Sequence, residues 1–94
     1  LSTAGHHVGR RFQLGAATTL GRAPDNDIVL PDNLVSRYHV RIEREGSAFV
    51  ARDLESKNGM QVNDRRRTES KLQRGDRVRV GETVLVFEAP QELK

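Results

Sequence analysis

The sequence has no cysteine and no tryptophan, and its aromatic side chains are three Phe and one Tyr. Without thiols it can build neither a disulfide framework nor a thiolate metal site, which suits a reducing compartment. So few rings leave little from which to make a base-stacking platform for single-stranded nucleic acid. No apolar run approaches the ~20 residues that span a bilayer. No basic-then-apolar leader opens the chain, and we expect a cytoplasmic protein that does not engage a membrane. Nor does any window of about eleven residues carry a 3.6-residue apolar stripe, so amphipathic helices are not expected.

What remains is a chain of 94 residues, enough for one domain over 1–94 with a core at about 8–88. It opens on Leu1-Ser2-Thr3-Ala4 without an initiator Met, and is expected to be part of a larger protein. Arginine far outnumbers lysine, and the net charge of +3 favours an anionic partner without choosing among them. Apolar and polar residues alternate at Arg11–Leu14, Val40–Glu43 and Arg77–Val80, the period that buries one face of a strand. Thr83 to Phe87 is apolar or β-branched throughout, which predicts a strand covered on both faces. Gly81-Glu82 and Glu45-Gly46 read as hairpin turns, the second leading into a strand at Phe49–Asp53. Further turn signals recur at Pro24–Asp27, Pro31–Asn33, Asn58-Gly59, Asn63-Asp64 and Gly75-Asp76. Short strands with frequent turns predict an all-β sandwich or barrel. The tail Gln91–Lys94 reads as a frayed end.

Three patterns carry more chemistry: Gly21-Arg22, Ser36-Arg37-Tyr38-His39 and Ser56-Lys57-Asn58-Gly59. Each falls in a loop beside an expected strand, and a sandwich gathers its loops at two ends. Brought together, they offer two guanidinium groups, hydroxyls and a carboxamide. A phosphorylated side chain presents about −1.5 to −2 charges and three acceptor oxygens, which a planar guanidinium fork matches. The carboxamide of Asn58 both donates to and accepts from a peptide backbone.

In that order and spacing, Gly21-Arg22, Ser36-x-x-His39 and Ser56-x-Asn58-Gly59 resemble the signature of forkhead-associated domains, a family of arginine-based phospho-motif readers. The flanks resemble it as well: Asp27–Leu30, Asp53-Leu54, Asn63, and Gly75-Asp76 through Gly81. The likeness runs from about Val8 to Phe87. It implies an antiparallel β-sandwich of eleven strands or nearly so, with loops at one end that bind phosphothreonine in a partner protein or in the parent chain. It implies a preference for phosphothreonine over phosphoserine, and no cofactor. Position by position, Arg22, Ser36, Arg37 and Lys57 would contact phosphate. Asn58 and Asn63 would hold the ligand backbone, with Asn63 alternatively a loop brace. Leu34 would face the third ligand residue after the phosphothreonine and favour an apolar or neutral side chain. Gly21, His39 and Gly59 would support the loops. Lys57 and Met60 stand where the family often has threonine, and Gly5–Arg10 follows only the tail of a first strand at Leu1–Ala4.

Other readings are weaker. Ser36 and His39 have no Gly-x-Ser-x-Gly elbow around them, so we expect no enzyme. Asp25-Asn26-Asp27 lacks the Gly and Glu of a calcium loop, and His6-His7 has no third ligand, so no metal site is expected. Arg65–Arg67 with Arg74, Arg77 and Arg79 could form a basic stripe for nucleic acid, but no recognition motif accompanies the charge. Phosphate-independent protein binding is the other alternative.

Overall fold

The computed structural model describes residues 2–4 and 14–88, and every regular element among them is a strand. There are ten: β1 Ser2–Ala4, β2 Ala17–Gly21, β3 Ile28–Val29, β4 Val40–Glu45, β5 Ala48–Asp53, β6 Met60–Val62, β7 Arg65–Arg67, β8 Glu69–Leu72, β9 Arg77–Val80 and β10 Thr83–Val86. They form two five-stranded sheets, ordered β1-β10-β9-β6-β7 and β3-β2-β4-β5-β8. All pairs are antiparallel except β2–β3. This is the expected sandwich, with ten strands among the described residues against about eleven. The alternation at 11–13, the pair His6-His7, the Gly5–Arg10 stretch and the tail 91–94 lie outside the described residues.

Alternation decides which side chains meet between the sheets. Val40 and Ile42 of β4, and Val78 and Val80 of β9, point inward and are buried, while Arg41, Arg77 and Arg79 between them are exposed. Leu20, Ile28, Ala51, Met60, Val62, Leu72 and Leu85 complete the inner layer from neighbouring strands. Phe49 and Phe87 close one part of it with a tilted ring contact at 5.5 Å, a geometry that adds to burial.

One expectation needs correction. The strand at Thr83–Val86 is not covered on both faces: Thr83 and Leu85 are buried, but Val84 and Val86 are only half-buried. The sandwich has two layers, so each sheet keeps an outer face toward water. Val84 and Val86 lie there, directly opposite Arg79 and Arg77 of β9, whose aliphatic stems are suited to sheltering them. Phe87 is buried but follows the strand. The strand placed at Phe49–Asp53 begins one residue earlier, at Ala48.

Strand register fixes where the loops go. Leu20 pairs with Val40, Val40 with Asp53, and Met60 with Val80. The segments 22–27, 30–39 and 54–59 and the Gly81-Glu82 turn therefore emerge at one end. The Gly46-Ser47 and Asn63-Asp64 turns close the opposite end. At the latter both residues have positive φ, 52° and 69°, the backbone of the type I′ turn that two-residue hairpins favour.

Candidate functional site

The loop end is built around Gly21. A Cβ there would lie 2.1 Å from the Arg37 carbonyl oxygen, so only glycine lets β2 run against the 35–37 segment. The close approach is sealed by backbone bonds: Arg22 N donates to Ser36 O at 3.0 Å and Ala23 N to Arg37 O at 3.1 Å. Buried Asn26 adds its Nδ2, which donates to Ala23 O at 2.8 Å and Arg37 O at 2.7 Å. Gly21→Ala should therefore destabilise the fold by about 1–3 kcal/mol through overpacking. Urea unfolding monitored by circular dichroism measures it; an unchanged midpoint would mean that the loop slides away freely.

His39 joins this assembly to the 56–59 loop. Its ring is fully buried. Ser36 N donates to Nδ1 at 2.9 Å, and a backbone amide can only donate, so Nδ1 is the unprotonated nitrogen. Nε2 therefore carries the hydrogen and donates to Gly59 O at 2.6 Å. Both ring nitrogens are occupied in holding two loops at one separation. Asp53 orders the second loop, accepting from Ser56 Oγ at 2.5 Å and Ser56 N at 3.2 Å, while Ser56 Oγ accepts from Gly59 N at 2.9 Å. Gly59 sits at φ +79°, with the Arg66 guanidinium lying where a Cβ would go.

On this frame the polar groups stand in defined poses. Arg22 is exposed, but its Nε donates to Val35 O at 3.2 Å. One edge of the guanidinium is fixed, and the terminal nitrogens make no bond among the described residues. Ser36 Oγ accepts from Lys57 N at 3.0 Å; its own hydroxyl hydrogen stays available to an incoming acceptor. Asn58 Nδ2 donates to Leu34 O at 2.7 Å, and Oδ1 makes no bond among the described residues. Arg37 and Lys57 are exposed, with no side-chain bond among the described residues. Beside them the Tyr38 hydroxyl donates its hydrogen to the Asp25 carboxylate, lying 2.8 and 2.7 Å from its two oxygens. That bond to a carboxylate pushes the phenol above its usual range, so Tyr38 stays neutral.

Arg22, Ser36, Arg37, Lys57 and Asn58 thus meet at one end, with Leu34 on the rim, 47% exposed. Asn63 does not join them. It lies at the opposite end of β6, where its Nδ2 donates to Asp76 Oδ1 and its Oδ1 accepts from Arg77 N, both at 2.9 Å. Of the two roles expected for it, these bonds make the brace; the β6–β7 turn needs left-handed backbone that Asn supplies at low cost. Sequence reasoning also missed a residue. The Asp32 carboxylate accepts from Leu34 N at 2.9 Å and from Glu82 N at 2.7 Å, tying the 30–39 loop to the turn of the other sheet. Nothing short of the tertiary contact marks it, since Pro31-Asp32-Asn33 reads as any turn. A depression of about 300 Å³ opens there, lined by Leu34, Asn58, Gly59, Gln61, Arg79 and Gly81.

The comparisons with known proteins point the same way. The family model described as the inner membrane component of T3SS, cytoplasmic domain (Yop-YscD_cpl), matches residues 3–91. The forkhead-associated (FHA) domain of FhaA, solved in complex with the intracellular domain of Rv3910, is 37% identical. It superposes with a TM-score of 0.80 over 83% of this chain and 87% of that one. EmbR of Mycobacterium tuberculosis, solved with a low-affinity phosphopeptide, is 38% identical with a TM-score of 0.83, over 93% of this chain and 23% of that one. The glycogen accumulation regulator GarA of Mycolicibacterium smegmatis is 43% identical over 84 residues, 88% of this chain and 53% of GarA. The chain spans between half and three fifths of the length of the first curated relatives it matches. No helix among the described residues is long and apolar enough to cross a membrane.

Proposed function

The chain belongs to the forkhead-associated family, within the Yop-YscD cytoplasmic-domain group, and we propose that it captures phosphothreonine-bearing proteins for the polypeptide of which it is part. The observation that carries this reading is the wiring of Arg22 and Ser36. Each has one polar atom bound to backbone, Arg22 Nε and Ser36 Oγ, and keeps hydrogen-bond donors that are not used within the described residues. Pre-alignment of this kind lowers the ordering cost that a free arginine would meet on binding. Phosphate oxygens would take the Arg22 terminal nitrogens and the Ser36 hydroxyl, with Arg37 and Lys57 adding charge from the rim. Asn58 would accept from a ligand amide, which favours an extended peptide.

The same geometry argues for binding without chemistry. A serine nucleophile needs a base within hydrogen-bond reach of its oxygen. His39 Nδ1 already accepts the backbone N–H of Ser36, and Nε2 is committed as a donor to Gly59 O. Among the described residues His39 carries the only imidazole, and it has no free lone pair for the Ser36 hydroxyl.

Fluorescence anisotropy of labelled peptides tests the proposal. A phosphothreonine library should bind, its unphosphorylated counterpart should not, and the phosphoserine version should bind more weakly. Equal binding of phosphorylated and unphosphorylated peptides would leave a forkhead-associated fold that docks its partner by another route.

A further inference from the structure

The outer face of the β1-β10-β9-β6-β7 sheet carries a row that the phosphate reading does not use. Gln61 of β6 pairs with Arg66 of β7 on one side and Arg79 of β9 on the other. Direct antiparallel partners share a face, so Arg66, Gln61 and Arg79 stand side by side toward water, and both arginines are exposed. Arg66 lays its guanidinium against Gly59, within 2.8–3.0 Å of where a Cβ would stand, next to Asn58 in the chain. Arg79 donates its Nε to Gly81 O at 3.2 Å and forms a wall of the depression that also holds Leu34 and Asn58.

Neither arginine has a carboxylate partner among the described residues. The other sheet differs. On its outer face Arg52 contacts Glu43, Glu45 and Glu69 at 2.7, 2.8 and 3.1 Å, and Arg41 contacts Glu43 at 3.3 Å. Arg77, further along β9, pairs with Asp64 at 3.2 Å. On the remote face both Arg41 and Arg52 are paired with carboxylates, whereas the two arginines beside the depression at Leu34 and Asn58 are not. Two exposed guanidinium groups flanking a carboxamide match carboxylates, which accept bidentate donation.

We propose that the Arg66–Gln61–Arg79 row receives acidic side chains flanking the phosphothreonine, so that the ligand is a phosphothreonine in an acidic segment. This rests on the phosphothreonine reading above and replaces the apolar or neutral flank expected from Leu34 alone. An extended peptide advances about 3.3–3.6 Å per residue, so four residues on either side of the phosphosite sweep about 13–14 Å each way.

The test scans a single Asp through four positions on either side of phosphothreonine in an otherwise alanine-flanked peptide. It uses the wild-type chain, Arg66→Gln, Arg79→Gln and the double variant, each titrated at low and high salt. The readout is the affinity ratio of each Asp peptide to the alanine peptide. At one or more positions Asp should tighten wild-type binding about three- to tenfold, the scale of one or two exposed ion pairs. The gain should shrink in high salt and vanish in the double variant. A flat scan with phosphate-dependent binding intact would overturn the acidic-flank proposal alone, as would a gain that survives both substitutions. Failure to bind the alanine-flanked phosphopeptide at all would remove the phosphothreonine reading and this proposal with it. A flat scan accompanied by arginine-dependent binding of an oligonucleotide would reassign the face to nucleic acid.

Discussion

Replacing Arg22 by alanine should weaken phosphothreonine-peptide binding by about tenfold to a few hundredfold, with the fold nearly unchanged. A hydrogen bond to a charged group contributes about 1.5–3 kcal/mol, and each 1.4 kcal/mol is about tenfold in affinity. The side chain is exposed and makes one bond of its own, Nε to Val35 O, so stability should move by only about 0.5 kcal/mol. Arg22→Lys separates charge from shape. An ammonium keeps the positive charge but cannot hold Val35 O with one edge while offering two nitrogens from the other. Its affinity should fall between those of wild type and the alanine variant. Anisotropy titration gives the affinities and thermal melts give the stability. Binding unaffected by Arg22→Ala would move the phosphate to Arg37 and Lys57.

Replacing His39 should act through stability instead. His39→Ala strands the Ser36 N–H and the Gly59 carbonyl and opens a hole where a fully buried ring was. Each stranded group costs about 1–3 kcal/mol, and the cavity adds to it, so the loss should total about 3–5 kcal/mol. A small domain commonly has about 5–15 kcal/mol in all, so the variant should unfold at a much lower urea concentration. His39→Gln, which can refill part of the space and accept or donate once, should recover part of that loss. Peptide affinity extrapolated to fully folded protein should also fall, because the two loops lose their common strut. A loss under about 1 kcal/mol in the alanine variant would mean that water replaces both bonds, which happens only where the site is polar and roomy enough to hold it.

What could be read before any coordinates follows from which forces are local. Val40–Glu43 and Arg77–Val80 announce themselves because period-two burial is written directly into side-chain polarity. The Gly81-Glu82 and Asn63-Asp64 turns are legible because unusual backbone angles select few residue types. Strands β2, β7 and β8 were not placed by alternation. Thr18 and Ser70 take inward positions with polar side chains, Arg65–Arg67 are all exposed, and the latter two strands sit at sheet edges. There an apolar pattern is unnecessary, and charge guards against pairing with another chain. The half-exposure of Val84 and Val86 was likewise hidden, since composition does not say how many layers cover a face.

The site divides along the same line. The sequence by itself determined the chemical inventory: the guanidinium, the hydroxyl, the carboxamide and the glycines, in an order that resembles one family. It could not decide which atoms are already committed, because a hydrogen bond across 21 residues, such as Lys57 N to Ser36 Oγ, leaves no local trace. Only the tertiary structure chose the His39 tautomer by aiming Ser36 N and Gly59 O at opposite ring nitrogens. It sent Asn63 to the far end by setting β6 against β9. By the same register it brought Arg66 and Arg79, 13 residues apart in the chain, into one row across Gln61. Residue identity sets what a group can do, and strand register sets which groups it meets.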